Sequence, residues 1–123
     1  MLKAKIHRAT VTEADLDYEG SLTLDEDLMT AAGLKEYEKI QLLDITNGNR
    51  MVTYIIRGEK GSGIVCVNGA AAHLIHAGDL VIIISYCQLT NEESLYHRPT
   101  IIHVNRDNKV IPLKTEKHIL TQC

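Results

Sequence analysis

The sequence has no tryptophan and no phenylalanine, and aromatic residues make up only 4% of its 123 positions. A core built from it must be aliphatic, drawn from the 45% of residues that are hydrophobic. An excess of positive charge is also missing. The net charge is -3, with acids and bases mixed along the chain, which argues against nucleic acid as the main partner. No apolar stretch of signal-peptide kind occurs near the start. The longest apolar run, residues 80–84, is far too short to cross a bilayer. The expectation is a cytoplasmic protein without membrane or nucleic-acid partners, and one domain over residues 1–123.

Cysteines are few, odd in number and far apart. Cys66, Cys87 and Cys123 form no CxxC pair, so neither a disulfide framework nor a zinc knuckle is supported. Cys66 and Cys87 sit in apolar stretches and read as small buried hydrophobes. Among six histidines the one close pair, His73 and His76, has no third ligand nearby, and no metal is expected. Linkers, repeats and low-complexity segments are likewise missing.

What is present is a series of short β-branched runs separated by turn residues. Residues 3–9, 39–46, 51–57, 63–68, 80–86 and 100–104 are the expected strands. Asn47-Gly48 predicts a tight hairpin with positive φ at both central positions. The run over 80–86, apolar on both faces, suits a central strand. Asp25 can cap a short helix over residues 26–32 that Gly33 closes. A second helix fits residues 70–77, ending at Gly78, and a turn fits residues 91–96 ahead of Pro99. Many short strands with brief helices between them predict a small, mainly β barrel.

The chemistry centres on Tyr18-Glu19-Gly20-Ser21. Read locally, this is a surface loop. Read as a cleavage site, Gly20 suits a strained turn, and the Ser21 hydroxyl can attack the Gly20 carbonyl to convert the amide to an ester. β-Elimination then frees the Gly20 carboxylate and leaves dehydroalanine. Water hydrolyses that to ammonia and an N-terminal pyruvoyl group. None of the twenty side chains carries a ketone, whereas a pyruvoyl group does and can form an imine with a substrate amine. It thus serves as an electron sink in place of PLP.

Several blocks in register carry a resemblance to a known family. Lys5-x-His7-Arg8, Ala14-Asp15-Leu16 and Tyr18-Glu19-Gly20-Ser21 come first, then Thr46-Asn47-Gly48-x-Arg50 with Thr53-Tyr54. Val67-Asn68-Gly69-Ala70-Ala71-Ala72-His73 leads into Gly78-Asp79-Leu80-Val81-Ile82-Ile83, and Arg98-Pro99 follows. Over residues 1–104 this pattern resembles the aspartate 1-decarboxylases; the tail, residues 105–123, carries no motif.

The resemblance implies a six-stranded double-psi β-barrel with short helices, assembled as a homotetramer with active sites between subunits. It implies self-cleavage into residues 1–20 and 21–123 and a covalent pyruvoyl group made from Ser21, with neither PLP nor metal. The reaction implied is L-aspartate to β-alanine and CO2, feeding pantothenate synthesis. Ser21 would form the Schiff base, Tyr54 would return the proton, and Thr53 would assist cleavage at Gly20 and contact substrate. Gly69, Ala70 and Ala71 would also line the substrate.

The residue chemistry agrees with these roles. Arg50 offers a two-pronged donor for one substrate carboxylate and Lys5 a second positive charge, with the pairing left open. Asn68 could orient the carbonyl or imine, and a helix starting at Gly69 would favour an anion. Without the resemblance, Lys5 and Arg50 read as solvated strand charges, Tyr54 as barrel wall and Asn68-Gly69 as a turn. His7 is as readily structural as catalytic. Leu22-Thr23-Leu24 and Leu43 depart from the family, the latter where an aromatic residue is common.

Maturation should be slow. A barrier of about 23 kcal/mol corresponds to roughly 10⁻⁴ per second, and backbone strain supplies only about 1–3 kcal/mol of relief. The isolated precursor is expected to mature incompletely, and the need for a maturation partner stays open. Two other readings also stay open at this point: a decarboxylase of a different small amino acid, and an unprocessed barrel that only binds.

Overall fold

The computed structural model describes residues 1–112; Cys123 and the end of the motif-free tail lie outside the described residues. Among the described residues nine strands occur in chain order: β1 (Leu2–Thr10), β2 (Glu13–Asp15), β3 (Ser21–Asp25), β4 (Lys39–Asp44), β5 (Arg50–Gly58), β6 (Val65–Asn68), β7 (Leu80–Tyr86), β8 (Thr100–Val104) and β9 (Val110–Ile111). Their hydrogen-bonded order is β2-β6-β3-β5-β4-β7-β1-β8-β9.

That order closes on itself. β1 runs on through Val11 and Thr12 into β2, so the strand paired with β7 at one end is paired with β6 at the other. The Thr12 amide donating to the Val65 carbonyl at 2.9 Å holds the seam. Counting β1 and β2 as one stave, six strands form a barrel, with β8 and β9 added outside it along β1. Arg8, at φ 66, sits in a bulge between His7 and Ala9 that bends β1 toward β2. The mainly β class expected from the sequence is what the chain adopts.

Period-two alternation decides which side chains enter the barrel. Ile6, Leu22, Leu24, Ile40, Leu42, Ile55, Val65, Val67, Val81 and Ile83 are all buried, and the core is aliphatic throughout. β7 is central, between β4 and β1, yet only its Val81, Ile83 and Ser85 face is fully buried. Leu80, Ile82 and Ile84 on the other face stay half-exposed.

The helix α1 (Glu26–Ala32) forms as expected, with Asp25 capping the Asp27 amide and Gly33 left-handed at the end. The second expected helix is shorter: a five-residue 3-10 turn over Gly69–His73. It offers no helix dipole of useful length, so the expected anion site at its start is not supported. The last helix, α2 (Asn91–Ser94), carries a capping box from Thr90 and Glu93. The β4–β5 hairpin is present, but its turn is longer than predicted. Asp44 accepts from the Thr46 and Asn47 amides, and only Gly48 takes a positive φ.

Asp25 does more than cap. Fully buried, its carboxylate also accepts from the Gly61 and Gly63 amides at 2.9 and 2.8 Å, fastening the loop after β5 to the head of α1. Burial alone would raise its pKa, but the Asp27, Gly63 and Gly61 amides and the charge of Lys109 outweigh it and hold the carboxyl below its ordinary value. Asp25→Ala is expected to lose about 3–5 kcal/mol in urea unfolding, because it strands buried donors. Since the folded pKa is depressed, the carboxylate's contribution is present above the ordinary Asp range. It is lost as pH falls through the folded value. An Asp25→Asn chain should therefore show a flatter stability profile in acid than the parent.

Candidate active site

Ser21 is the first residue of β3 and only 1% exposed, whereas Gly20 before it lies in the exposed turn that follows β2. The bond between them thus joins a solvent-facing loop to a fixed strand. Ser21 pairs with Asn68 on β6, and their side chains meet: Asn68 Nδ2 donates to Ser21 Oγ at 3.0 Å and to Thr23 Oγ1 at 2.9 Å. The Ser21 hydroxyl in turn donates to the Glu19 carbonyl at 3.1 Å. Because its amide is engaged this way, Asn68 makes no side-chain cap to the 3-10 turn it precedes.

Gly69 follows with φ 71. A Cβ there would lie 2.7 Å from both the N and Cα of Gly20 and 3.0 Å from the Tyr18 carbonyl oxygen. The left-handed φ near the cleavage point therefore belongs to Gly69 rather than to Gly20, where nothing crowds an added Cβ. The strained turn expected at Gly20 is replaced by a close backbone approach. Ala71 is buried and Ala70 exposed at the start of the same turn.

β3 and β5 run parallel, with Leu22 level with Ile55. One residue upstream of that pair stand Ser21 and Tyr54, which alternation puts on the same, outward face. Thr53 is the next residue back along β5, as Gly20 is along β3. The sequence-predicted Ser21, Tyr54, Thr53, Asn68 and Gly69 thus gather around one end of β3.

Lys5, Arg50 and His7 do not join them. Arg50 starts β5, four residues before Tyr54, which is about 13 Å along the strand. His7, Ile82, Leu43 and Arg50 form one transverse row across β1, β7, β4 and β5. Lys5, Ile84, Gln41 and Val52 form the next row, so Lys5 lies three strands, about 14 Å, from β5. His7 stacks edge-on to His103, its ring centroid 5.1 Å away, and its Nδ1 is buried without a hydrogen-bond partner. Burial first, then the charges of Lys5, His103 and Arg8, lowers its pKa. A groove of 620 Å³ opens on this face between Met1, Gln41, Val52 and Tyr86, away from Ser21.

Three residues beside Ser21 escaped the sequence reading. Thr23 and Cys66 share the Asn68 amide, and Glu13 reaches the Cys66 thiol at 3.6 Å. The available signal was spacing by two: Ser21 with Thr23, and Cys66 with Asn68, fall on common strand faces.

The model for the aspartate decarboxylase family matches residues 1–111. A protein of Acetivibrio thermocellus named aspartate 1-decarboxylase is 56% identical over 95% of this chain and 93% of its own length. The Caldicellulosiruptor bescii protein of that name is 54% identical over 100% and 95%, and that of Corynebacterium efficiens 58% over 92% and 83%. Among solved structures, the rationally designed mkDPBB_sym_86 protein overlaps 67% of this chain and 95% of its own, at 12% identity and a TM-score of 0.48. The chain belongs to the aspartate decarboxylase family of enzymes.

Proposed function

We propose that the chain cuts itself between Gly20 and Ser21 and that the pyruvoyl-bearing product converts L-aspartate to β-alanine and CO2, feeding pantothenate synthesis. The observation that carries this reading is the buried Ser21 hydroxyl, held by Asn68 at the strand end where Gly20 leaves for solvent. Cleavage would divide the chain into residues 1–20 and 21–123. The overall change consumes one water and releases one ammonia, with the Gly20 carboxylate as the new C-terminus. Gly69 packs so close to Gly20 that only a residue without a Cβ leaves room for the scissile turn, which suits this position to the group.

The pyruvoyl group supplies a ketone conjugated to an amide, an electron sink for the pair left by CO2. The chain's own residues supply the rest. Tyr54, level with Ser21 on the outward face, returns a proton from its phenol to the carbon that loses CO2. Thr53 assists at the Gly20 carbonyl, and the Gly69-Ala70-Ala71 backbone lines the substrate. Lys5 and Arg50 hold the two carboxylates of aspartate.

Because Arg50 stands about 13 Å along β5 from Tyr54 and Lys5 about 14 Å across the sheet from β5, this reading has a neighbouring copy contribute to each site. Their face is suited to that. Val52 is 60% exposed and Tyr86 57%, with half-buried Leu43, Ile82 and Ile84 among them, an apolar patch of the kind that subunits cover. A homotetramer with intersubunit sites is the assembly this reading implies, in the cytoplasm.

An intact mass spectrum of the denatured protein tests the reading. Residues 1–20 and 21–123 should appear as separate masses, the larger lighter by one ammonia than a serine-ended chain, together with CO2 release from aspartate. A full-length chain that survives prolonged warming without releasing CO2 would refute it. Tyr54→Phe should be cut normally yet lose about 10²–10⁴-fold in β-alanine production. Undiminished turnover would remove Tyr54 from the proton step.

A further inference from the structure

The Asn68 amide can face Ser21 in two ways, and one neighbour decides between them. Cys66 precedes it by two residues on the same strand, buried, with Sγ 3.1 Å from Asn68 Oδ1. A protonated thiol there has one hydrogen within reach of two acceptors, Asn68 Oδ1 at 3.1 Å and Glu13 Oε2 at 3.6 Å, and giving it to the nearer one selects the amide oxygen. The amide nitrogen then turns to Ser21 Oγ and Thr23 Oγ1, spending one hydrogen on each. Flipped, the amide would bring its nitrogen to the thiol and point its oxygen at the two hydroxyls.

What keeps the thiol protonated is visible beside it. Burial, then the charge of Glu13 and its hydrogen-bond contact with the thiol, then the charge of Asp15, pushes its pKa up to about 11. Glu13, paired with Cys66 across β2 and β6, brings Oε2 to 3.6 Å from Sγ. A thiolate would stand between that carboxylate and the amide oxygen, repelled by both.

The consequence reaches the nucleophile. A hydroxyl has one hydrogen and two lone pairs. Ser21 gives its hydrogen to the Glu19 carbonyl and one lone pair to Asn68 Nδ2–H, which leaves a single lone pair for the Gly20 carbonyl carbon. Flipping Asn68 would replace that donor with a second acceptor, and Ser21 would rotate to satisfy it.

We propose that Cys66 is a positioning residue for self-cleavage, its S–H fixing the Asn68 amide so that Ser21 presents a lone pair to Gly20. This rests on the reading of Gly20–Ser21 as the cleavage site. It assigns Cys66 no contact with substrate and no part in turnover once the chain is cut.

The test follows the loss of intact 123-residue chain by mass spectrometry after cell-free synthesis of wild type, Cys66→Ser, Cys66→Ala and Cys66→Val. Serine keeps a donor, alanine removes it, and valine removes it while filling the space. Cleavage should slow about 10–100-fold in the alanine and valine chains and stay within a few-fold of wild type in the serine chain. All four should retain similar circular dichroism, and cut alanine chain should turn over aspartate at the wild-type kcat. Equal cleavage by all four, or a serine chain as slow as alanine with valine restored, would overturn the role, since the latter pattern marks packing alone. Failure of the wild type itself to cleave would instead refute the cleavage reading on which the role stands.

Discussion

Ser21→Ala is expected to give a folded chain of full mass that neither cuts itself nor releases CO2 from aspartate. The change removes one oxygen from a buried strand residue whose backbone pairing with Asn68 is untouched. Asn68 Nδ2 loses one acceptor and keeps Thr23 Oγ1, so the stability loss should be about 1–2 kcal/mol and leave the barrel intact. Cleavage, by contrast, loses the hydroxyl that the proposed reading has attack Gly20, and no pyruvoyl group can arise at a position whose side chain has no leaving oxygen. Catalysis and maturation therefore fall together, as they need not for any other residue of the site. Mass spectrometry and CO2 release on one preparation check both. Decarboxylation by an uncut Ser21→Ala chain would end the pyruvoyl account.

The outline of the barrel was legible because the strands that build it are long enough to show β-branched runs, and all six expected runs are strands. The most informative strand was not. β3 has five residues, and Ser21-Leu22-Thr23-Leu24 follows so closely on turn formers that the loop reading swallowed its start. Its alternation is nonetheless complete, with Leu22 and Leu24 inward and Ser21 and Thr23 outward. The hairpin after β4 was foreseen but not its turn, since Asp44 captures two amides and lengthens the loop beyond what Asn47-Gly48 alone would set.

For the site, motif order located Ser21, Tyr54 and Asn68 at one place in the fold. It could not show that Lys5 and Arg50 lie rows away, because register across four strands is a property of the whole sheet. Nor does a Cys in an apolar run announce a hydrogen-bond partner. That required knowing that Asn68 two residues on turns back toward Ser21.

The same geometry makes Gly69→Ala the most disruptive small substitution near the cleavage point. Gly69 holds φ 71, where alanine is strained by about 1–2 kcal/mol, and its new methyl would meet Gly20 N and Cα at 2.7 Å. Backbone must move. Gly69 is anchored through β6, which pairs with both β2 and β3, while Gly20 lies in an exposed turn. The turn therefore gives way, carrying the Gly20 carbonyl off by most of an ångström while Asn68 holds Ser21 Oγ in place. A misplacement on the order of 1 Å costs about 100-fold in a positioned reaction, and self-cleavage should slow by that much in a chain that still folds.

Gly33→Ala supplies the control. Gly33 has nearly the same φ, 72, but nothing within 4 Å of the added methyl. It shares the strain without the collision, so it should lose similar stability and cleave at the wild-type rate. Thermal unfolding and the time course of full-length chain, measured on both, separate the two effects. Equal cleavage by both variants would mean that the close approach of Gly69 to Gly20 does not set the geometry of attack.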